Sequence, residues 1–256
     1  MIEAKALEDQ VGLLLSVLYA KRFASLEKLR LKRLLDKNPY LYRALGIEDS
    51  LELLRQLLIA FVSSSDETLF GNDFFEPLAL WAAGESSGHS GGQRVVTVGG
   101  AAGIDIAIEN ATTYAAISVK SGKNIFNAQS SKGQDIEFGE LRARLKKLGK
   151  NFSEVVGYGY GRKSEPKKAT VQDRVAGQKF WELLTNESDF YLRIARAIGV
   201  HSAGHGESYR KAFERKCNSL VKEFVLNFVH EDGSIEWDKV VAFNSATSKP
   251  EVLKKL

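Results

Sequence analysis

The sequence predicts an α/β protein in which a small mixed β-sheet is flanked by many helices. Three stretches rich in β-branched residues, "RVVTV", "GIDIAIE" and "YAAISVK", follow one another between residues 94 and 120, and a fourth, "FSEVVGYGYG", begins at residue 152. On either side, apolar residues recur at three- and four-residue spacing, the mark of helices that bury one face. A chain of 256 residues with 44% hydrophobic and 27% charged residues can bury a sizeable core around such a sheet.

The elements follow in order. Residues 3–36 read as a long helical region, carried by Leu13, Leu14, Val17, Leu18, Phe23, Leu26 and Leu29. Pro39 in "KNPYLYRALGI" interrupts it. Asp49 or Ser50 can cap the next helix, "LELLRQLLIAFVSSS". A further helix is expected from Ser65 or Asp66 through "ETLFGNDFFEPLALWAAG", with Pro77 as an internal irregularity. "GESSGHSGGQ" (84–93) has the glycine and serine content of a loop. After the three strands, a polar loop over 121–134 leads to the helix "FGELRARLKKLGK" and the fourth strand. The remainder reads as three helices, "VAGQKFWELLT", "DFYLRIARAIG" and "ESYRKAFERKCNSLVKEFVLNFV", the last two separated by a loop-like "HSAGHG".

Composition narrows function by exclusion. One cysteine, Cys217, rules out an intrachain disulfide and a cysteine-rich zinc site, and a reducing cytoplasm is the simple expectation. No apolar run approaches the ~20 residues of a membrane span, and the opening "MIEAKALEDQ" does not read as a signal peptide. A net charge of +4 and clusters such as "RARLKKLGK" and "GRKSEPKK" favour an anionic partner. The glycines of "VGGAAGID" precede a strand and lack a following Gly-Lys-Ser/Thr, so they are no nucleotide loop. His201 and His205 do not read as a zinc pair, and Cys217, Trp81, Trp181 and Trp237 read as packing residues.

The chemistry lies in the second and third strands. Ile104, Ile106 and Ile108 alternate with Asp105, while Ile117 and Val119 alternate with Ser118 and Lys120. The short link "NATT" implies an antiparallel hairpin, and directing the isoleucine faces together places Asp105, Ser118 and Lys120 on one face. A lysine in a sheet needs a negative neighbour, and Asp105 supplies it. Such a carboxylate and lysine suit Mg²⁺-dependent phosphodiester hydrolysis, the acid holding the metal and the lysine assisting the attacking water or the developing charge.

This arrangement resembles the PD-(D/E)XK nucleases. More narrowly, "KNPYLYRALGI", "SSSDETLFGNDFFEPLA", "GIDIAI", "ISVKSGKN", "FSEVVGYGYGR" and "GQKFWELLT", in that order, resemble the PmeII-type family of type II restriction endonucleases, with a weaker echo in "IEWDKVVAFNSA". The resemblance implies a restriction-endonuclease-like core and a cytoplasmic, prokaryotic homodimer that cuts double-stranded DNA at a short sequence with Mg²⁺. It also implies a companion methyltransferase acting on the same site. The chain would be one nuclease domain over 1–256, with helical regions 1–65 and 186–256 around a catalytic core, 66–185.

Carried onto this sequence, Asp105 is the metal-binding aspartate and Lys120 the catalytic lysine. Ser118 departs from the pattern by standing where an acid is expected, and a hydroxyl is a poor Mg²⁺ ligand. The second carboxylate then comes from Glu76, favoured because "NDFFEPLA" lies within the resemblance, or from Asp135, Glu137 or Glu140. Glu109 shares the Asp105 face at the hairpin end. Ser121, Lys123 and Asn124 after the catalytic strand, with Arg142, Arg144 and Arg162, are the expected DNA contacts.

Overall fold

The computed structural model describes residues 1–88, 94–99, 103–121, 133, 136–143, 149–163 and 172–247. Helices α1 (Ala4–Lys28), α2 (Leu31–Leu35), α3 (Pro39–Ala44) and α4 (Ser50–Phe70) come first. A π-helical turn, Gly71–Phe75, joins α4 to α5 (Glu76–Gly88). Strands β1 (Val95–Val98), β2 (Ile106–Glu109) and β3 (Thr113–Lys120) precede a helical stretch at 136–143, α6. Then come β4 (Asn151–Tyr158), β5 (Gln172–Ala176), α7 (Gln178–Thr185), α8 (Phe190–Phe228) and α9 (Trp237–Ser245).

The strands form one five-stranded sheet in chain order. β1, β2 and β3 are antiparallel, and β3, β4 and β5 are parallel, so the sheet is mixed as the sequence predicts. The turn between β2 and β3 is held by Asn110, whose side-chain oxygen accepts the N–H groups of Thr112 (2.9 Å) and Thr113 (2.8 Å). Phe138 and Leu141 of α6 pack with Ala116, Val156, Tyr158 and Ala176 on one face of the sheet. Ile104 joins this cluster, so it does not continue the row of Ile106 and Ile108 as strict alternation would require.

The chain divides into two compact units. One comprises Met1–Leu18 and Leu69–Ser202 and contains the whole sheet. The other comprises Tyr19–Thr68 and Ala203–Leu256, and its regular elements are helical among the described residues. Its core is built from leucines of α1, α2 and α4 with Cys217, Leu220, Phe224, Phe228, Trp237 and Phe243. Cys217 and Trp237 are packing residues, as read.

Several boundaries differ from the expected ones for local physical reasons. The first helical region is split at Leu29–Arg30 into α1 and α2. Asp49 is the cap of α4, accepting the Glu52 N–H at 2.7 Å. The serine run does not end α4, which continues to Phe70, and Thr68 returns its hydroxyl to the Ser64 carbonyl at 3.2 Å. The irregularity belonging to Pro77 appears just before it. Proline cannot donate to the carbonyl four residues back, and the backbone widens so that Glu76 N–H bonds to Gly71 O. α5 then runs on to Gly88, into the stretch read as a loop, whose residues 89–93 lie outside the described set.

"HSAGHG" is not a loop but the middle of the 39-residue α8. Glycines weaken a helix by about 1 kcal/mol each, but here contacts hold the turn. His201 Nε2 lies 3.0 Å from Glu8 O, and His205 stacks on Tyr19 with ring centroids 3.5 Å apart. β5, "QDRVA", was not anticipated, because a short polar strand carries no alternation. It also takes Val175 and Ala176 from the expected start of α7.

Candidate active site

The β2–β3 register pairs Ile106 with Ile117, which sets Asp105 opposite Ser118 with Lys120 next along the same face. The ladder extends past the end of β2, as Asp105 N donates to Ile117 O at 3.0 Å and Gly99 N to Asp105 O at 3.1 Å. Gly103 makes this approach possible. Its φ is +70°, and a Cβ there would collide with the Glu137 carboxylate.

Asp105 is fixed from two directions. Its Oδ2 accepts the Val119 N–H at 2.6 Å, and the Ser118 hydroxyl donates to the same carboxylate. Ser118 itself is fully buried. Where the family pattern expects an acid, this chain has a donor that orients the aspartate. Burial raises the Asp105 pKa, opposed by the Val119 N–H, the Lys120 charge and the Ser118 hydroxyl.

Glu76 enters from the π turn. Burial raises its pKa first, the neighbouring Asp105 and Asp73 charges raise it further, and Lys120 opposes them. Glu76, Asp105 and Lys120 therefore feel one another, two carboxylates and a cation on three separate elements. Asp73, three residues before Glu76, adds a third negative charge that sequence reasoning did not single out.

The other expected site residues are placed as follows. Glu137 lies on α6 against Gly103, two residues before Asp105. Glu140 is exposed on the same helix, and Asp135 lies outside the described residues. Glu109 pairs with Lys150 at 3.3 Å, at the hairpin end of β2 and away from Lys120. Ser121 is buried, with Gly71 of the π turn close against it. Arg162 is exposed, whereas Lys123, Asn124 and Arg144 lie outside the described residues. Arg142 is half exposed, and its guanidinium is held by Glu154, with Nε donating to Oε1 at 2.7 Å. Glu154 was missed because "FSEVVGY" looks like an ordinary strand; it is the buried acid of that strand, on the same face as Ala116.

Among the described residues, no group of three or more His, Cys, Asp or Glu side chains is assembled as a metal site. The Asp105–Glu76 pair nevertheless fits a hard divalent cation. Two half-buried carboxylates that repel each other, with oxygen donors only, gain from a positive ion between them.

The family model described as Type II restriction endonuclease EcoO109I matches residues 5–205. No curated protein matches the chain. The matching model is that of EcoO109I and not of PmeII, so the finding reaches type II restriction endonucleases without the narrower subgroup. The match takes in the whole sheet, with Glu76, Asp105, Ser118 and Lys120, and on that evidence the chain belongs to the type II restriction endonuclease EcoO109I family.

Proposed function

We propose that the protein is a Mg²⁺-dependent endonuclease that hydrolyses phosphodiester bonds in double-stranded DNA at a defined sequence. The observation that carries this reading is the convergence of Asp105, Lys120 and Glu76, with Ser118 orienting the aspartate. Asp105 and Glu76 would hold Mg²⁺, which when bound supplies charge neutralisation and a more acidic water. The chain's own groups do the positioning. The Val119 N–H and the Ser118 hydroxyl keep the Asp105 carboxylate in one orientation. The Lys120 ammonium, whose charge Asp105 feels, would hold the attacking water and donate to the scissile phosphate as negative charge grows on its oxygens. Arg142, braced by Glu154, and the exposed Arg162 would contact backbone phosphates, with Lys123, Asn124, Arg144 and the buried Ser121 completing the proposed contact set.

The narrower PmeII-type likeness is part of this proposal, supported by six similar stretches in the same order. So are a homodimer, whose two-fold axis would match a palindromic site, a cytoplasmic location and a companion methyltransferase that protects the same sequence. No helix among the described residues is long and apolar enough to cross a membrane.

The test is digestion of a large phage DNA with Mg²⁺ and with EDTA, beside Lys120→Ala. Discrete bands that require Mg²⁺ and vanish in the variant are expected. A smear identifies a nuclease without sequence preference. Salt-sensitive binding without any cleavage identifies a DNA-binding protein that has lost catalysis.

A further inference from the structure

In β3, β4 and β5 the carboxyl-terminal residues Lys120, Tyr158 and Ala176 lie side by side in register. Just beyond them, residues 159–163 and 177–179 line a cleft of about 660 Å³. Its walls are aromatic. Phe75 stands 6.3 Å from Tyr160 and 6.1 Å from Trp181, centroid to centroid, and the Trp181 indole is pinned by donating to Gly159 O at 2.8 Å. Tyr160 is 50% exposed and Tyr191 37% exposed, so both offer ring surface to an occupant. Gly177, with φ +55°, sits so close to Gly161 O that a Cβ would fall 2.6 Å from it, which closes the two loops against each other.

Charge selects the occupant. Arg162, Lys163 and Lys179 line the cleft, and among the described residues no acidic one does. Aromatic walls with basic side chains fit a flat π-system that carries negative charge, the chemistry of a nucleotide. The volume lies within the ~300–1,000 Å³ of small-molecule sites. Gly159, which lines the cleft, donates its N–H to Lys120 O at 2.8 Å, so an occupant lies beside the end of β3 that carries Lys120.

We propose that this cleft receives one nucleobase of the substrate DNA, unstacked from the duplex onto the exposed rings of Tyr160 and Tyr191, with a neighbouring phosphate on Arg162 and Lys163. The proposal rests on the nuclease reading and deepens it. An extruded base anchors its strand, and the anchored strand then sets which phosphate stands at Lys120.

The full-length protein, labelled with ¹⁵N, is titrated with dAMP, dGMP, dCMP and TMP while the Trp181 indole signal, assigned with Trp181→Phe, is followed. Deoxyribose 5-phosphate and inorganic phosphate are the controls. At least one nucleotide is expected to move the signal saturably where the sugar phosphate does not. Tyr160→Ala is expected to weaken that binding about tenfold, the usual scale for loss of one stacking ring. Tyr191→Ala is a second variant on the exposed wall, expected to weaken it in the same sense. Equal shifts from the sugar phosphate, no shift from any nucleotide, or full affinity in both variants would overturn the proposal. Phage-DNA digestion in parallel separates the two readings. Cleavage without nucleotide binding removes the base site alone, whereas nucleotide binding without cleavage keeps the base site and removes the endonuclease.

Discussion

Ser118 and Asp105 show how one substitution in a motif redistributes roles among neighbours. A hydrogen bond to a charged acceptor contributes about 1.5–3 kcal/mol, and Ser118 directs its hydroxyl to the carboxylate proposed to hold the cation. Ser118→Ala is therefore expected to lower kcat roughly ten- to a hundredfold, while Asp105→Ala abolishes cleavage; single-turnover cleavage rates distinguish the two. The raised pKa values of Asp105 and Glu76 have a second consequence. Between their unfolded and folded pKa values the folded state holds more protons, so stability falls as pH rises through that window and stays reduced above it. Asp105→Asn and Glu76→Gln, measured by thermal melting at neutral pH without divalent metal, should therefore raise Tm while removing activity. An unchanged or lower Tm in both would show that the two carboxylates do not strain the fold. Stability given up at a proposed active site fits a familiar trade.

At the scale of elements, the π turn and the long helix α8 carry the clearest consequences. The π turn positions Glu76, and Gly103 positions Asp105, so each acidic group depends on one irregular backbone segment. Gly103→Ala meets both a left-handed φ and the Glu137 carboxylate. It should cost about 1–2 kcal/mol or more, visible as a fall of several degrees in Tm. In α8, His205 stacks on Tyr19 and lies 2.7 Å from Arg22 Nη1, and Arg22 is itself held by Asp66 (Nε to Oδ1, 2.7 Å) and stacked over Tyr209 at 3.8 Å. Arg22 donates, so His205 accepts and is neutral. Burial lowers its pKa, and the Arg22 charge lowers it further against the opposing Asp66. The unfolded chain then takes up the proton first, and stability is lost as pH falls below ~6.5. Melting curves from pH 7 to pH 5 should show that loss, and His205→Gln should reduce its slope.

Across the whole molecule, a net charge of +4 leaves DNA affinity to local clusters and not to a general field. Each phosphate contact contributes close to one unit of slope in a plot of log affinity against log salt. Arg142→Ala and Arg162→Ala should each reduce that slope by about one and weaken binding evenly across sequences. Arg142→Ala carries an added effect, because it strands Glu154, buried with its second carboxylate oxygen unpartnered among the described residues. A stability loss in Arg142→Ala that Arg142→Ala/Glu154→Gln relieves would separate bracing from DNA contact.

Four of the five strands, the hairpin and the shared face of Asp105, Ser118 and Lys120 were legible in the residues, because a period of two and a short turn leave one sensible register. Glu76 was named only through resemblance, since nothing in "NDFFEPLA" marks a carboxylate that comes near Asp105 and Lys120, some thirty and forty residues ahead. Tertiary structure decided the rest. It turned Ser118 from a failed ligand into a donor, and brought Glu137 against Gly103. It paired Glu154 with Arg142 across elements, and held α8 helical through three glycines by contacts that local propensity does not contain. Strand parity and helix periodicity are written in neighbouring residues, whereas the partner of a buried charge depends on which distant segment folds against it.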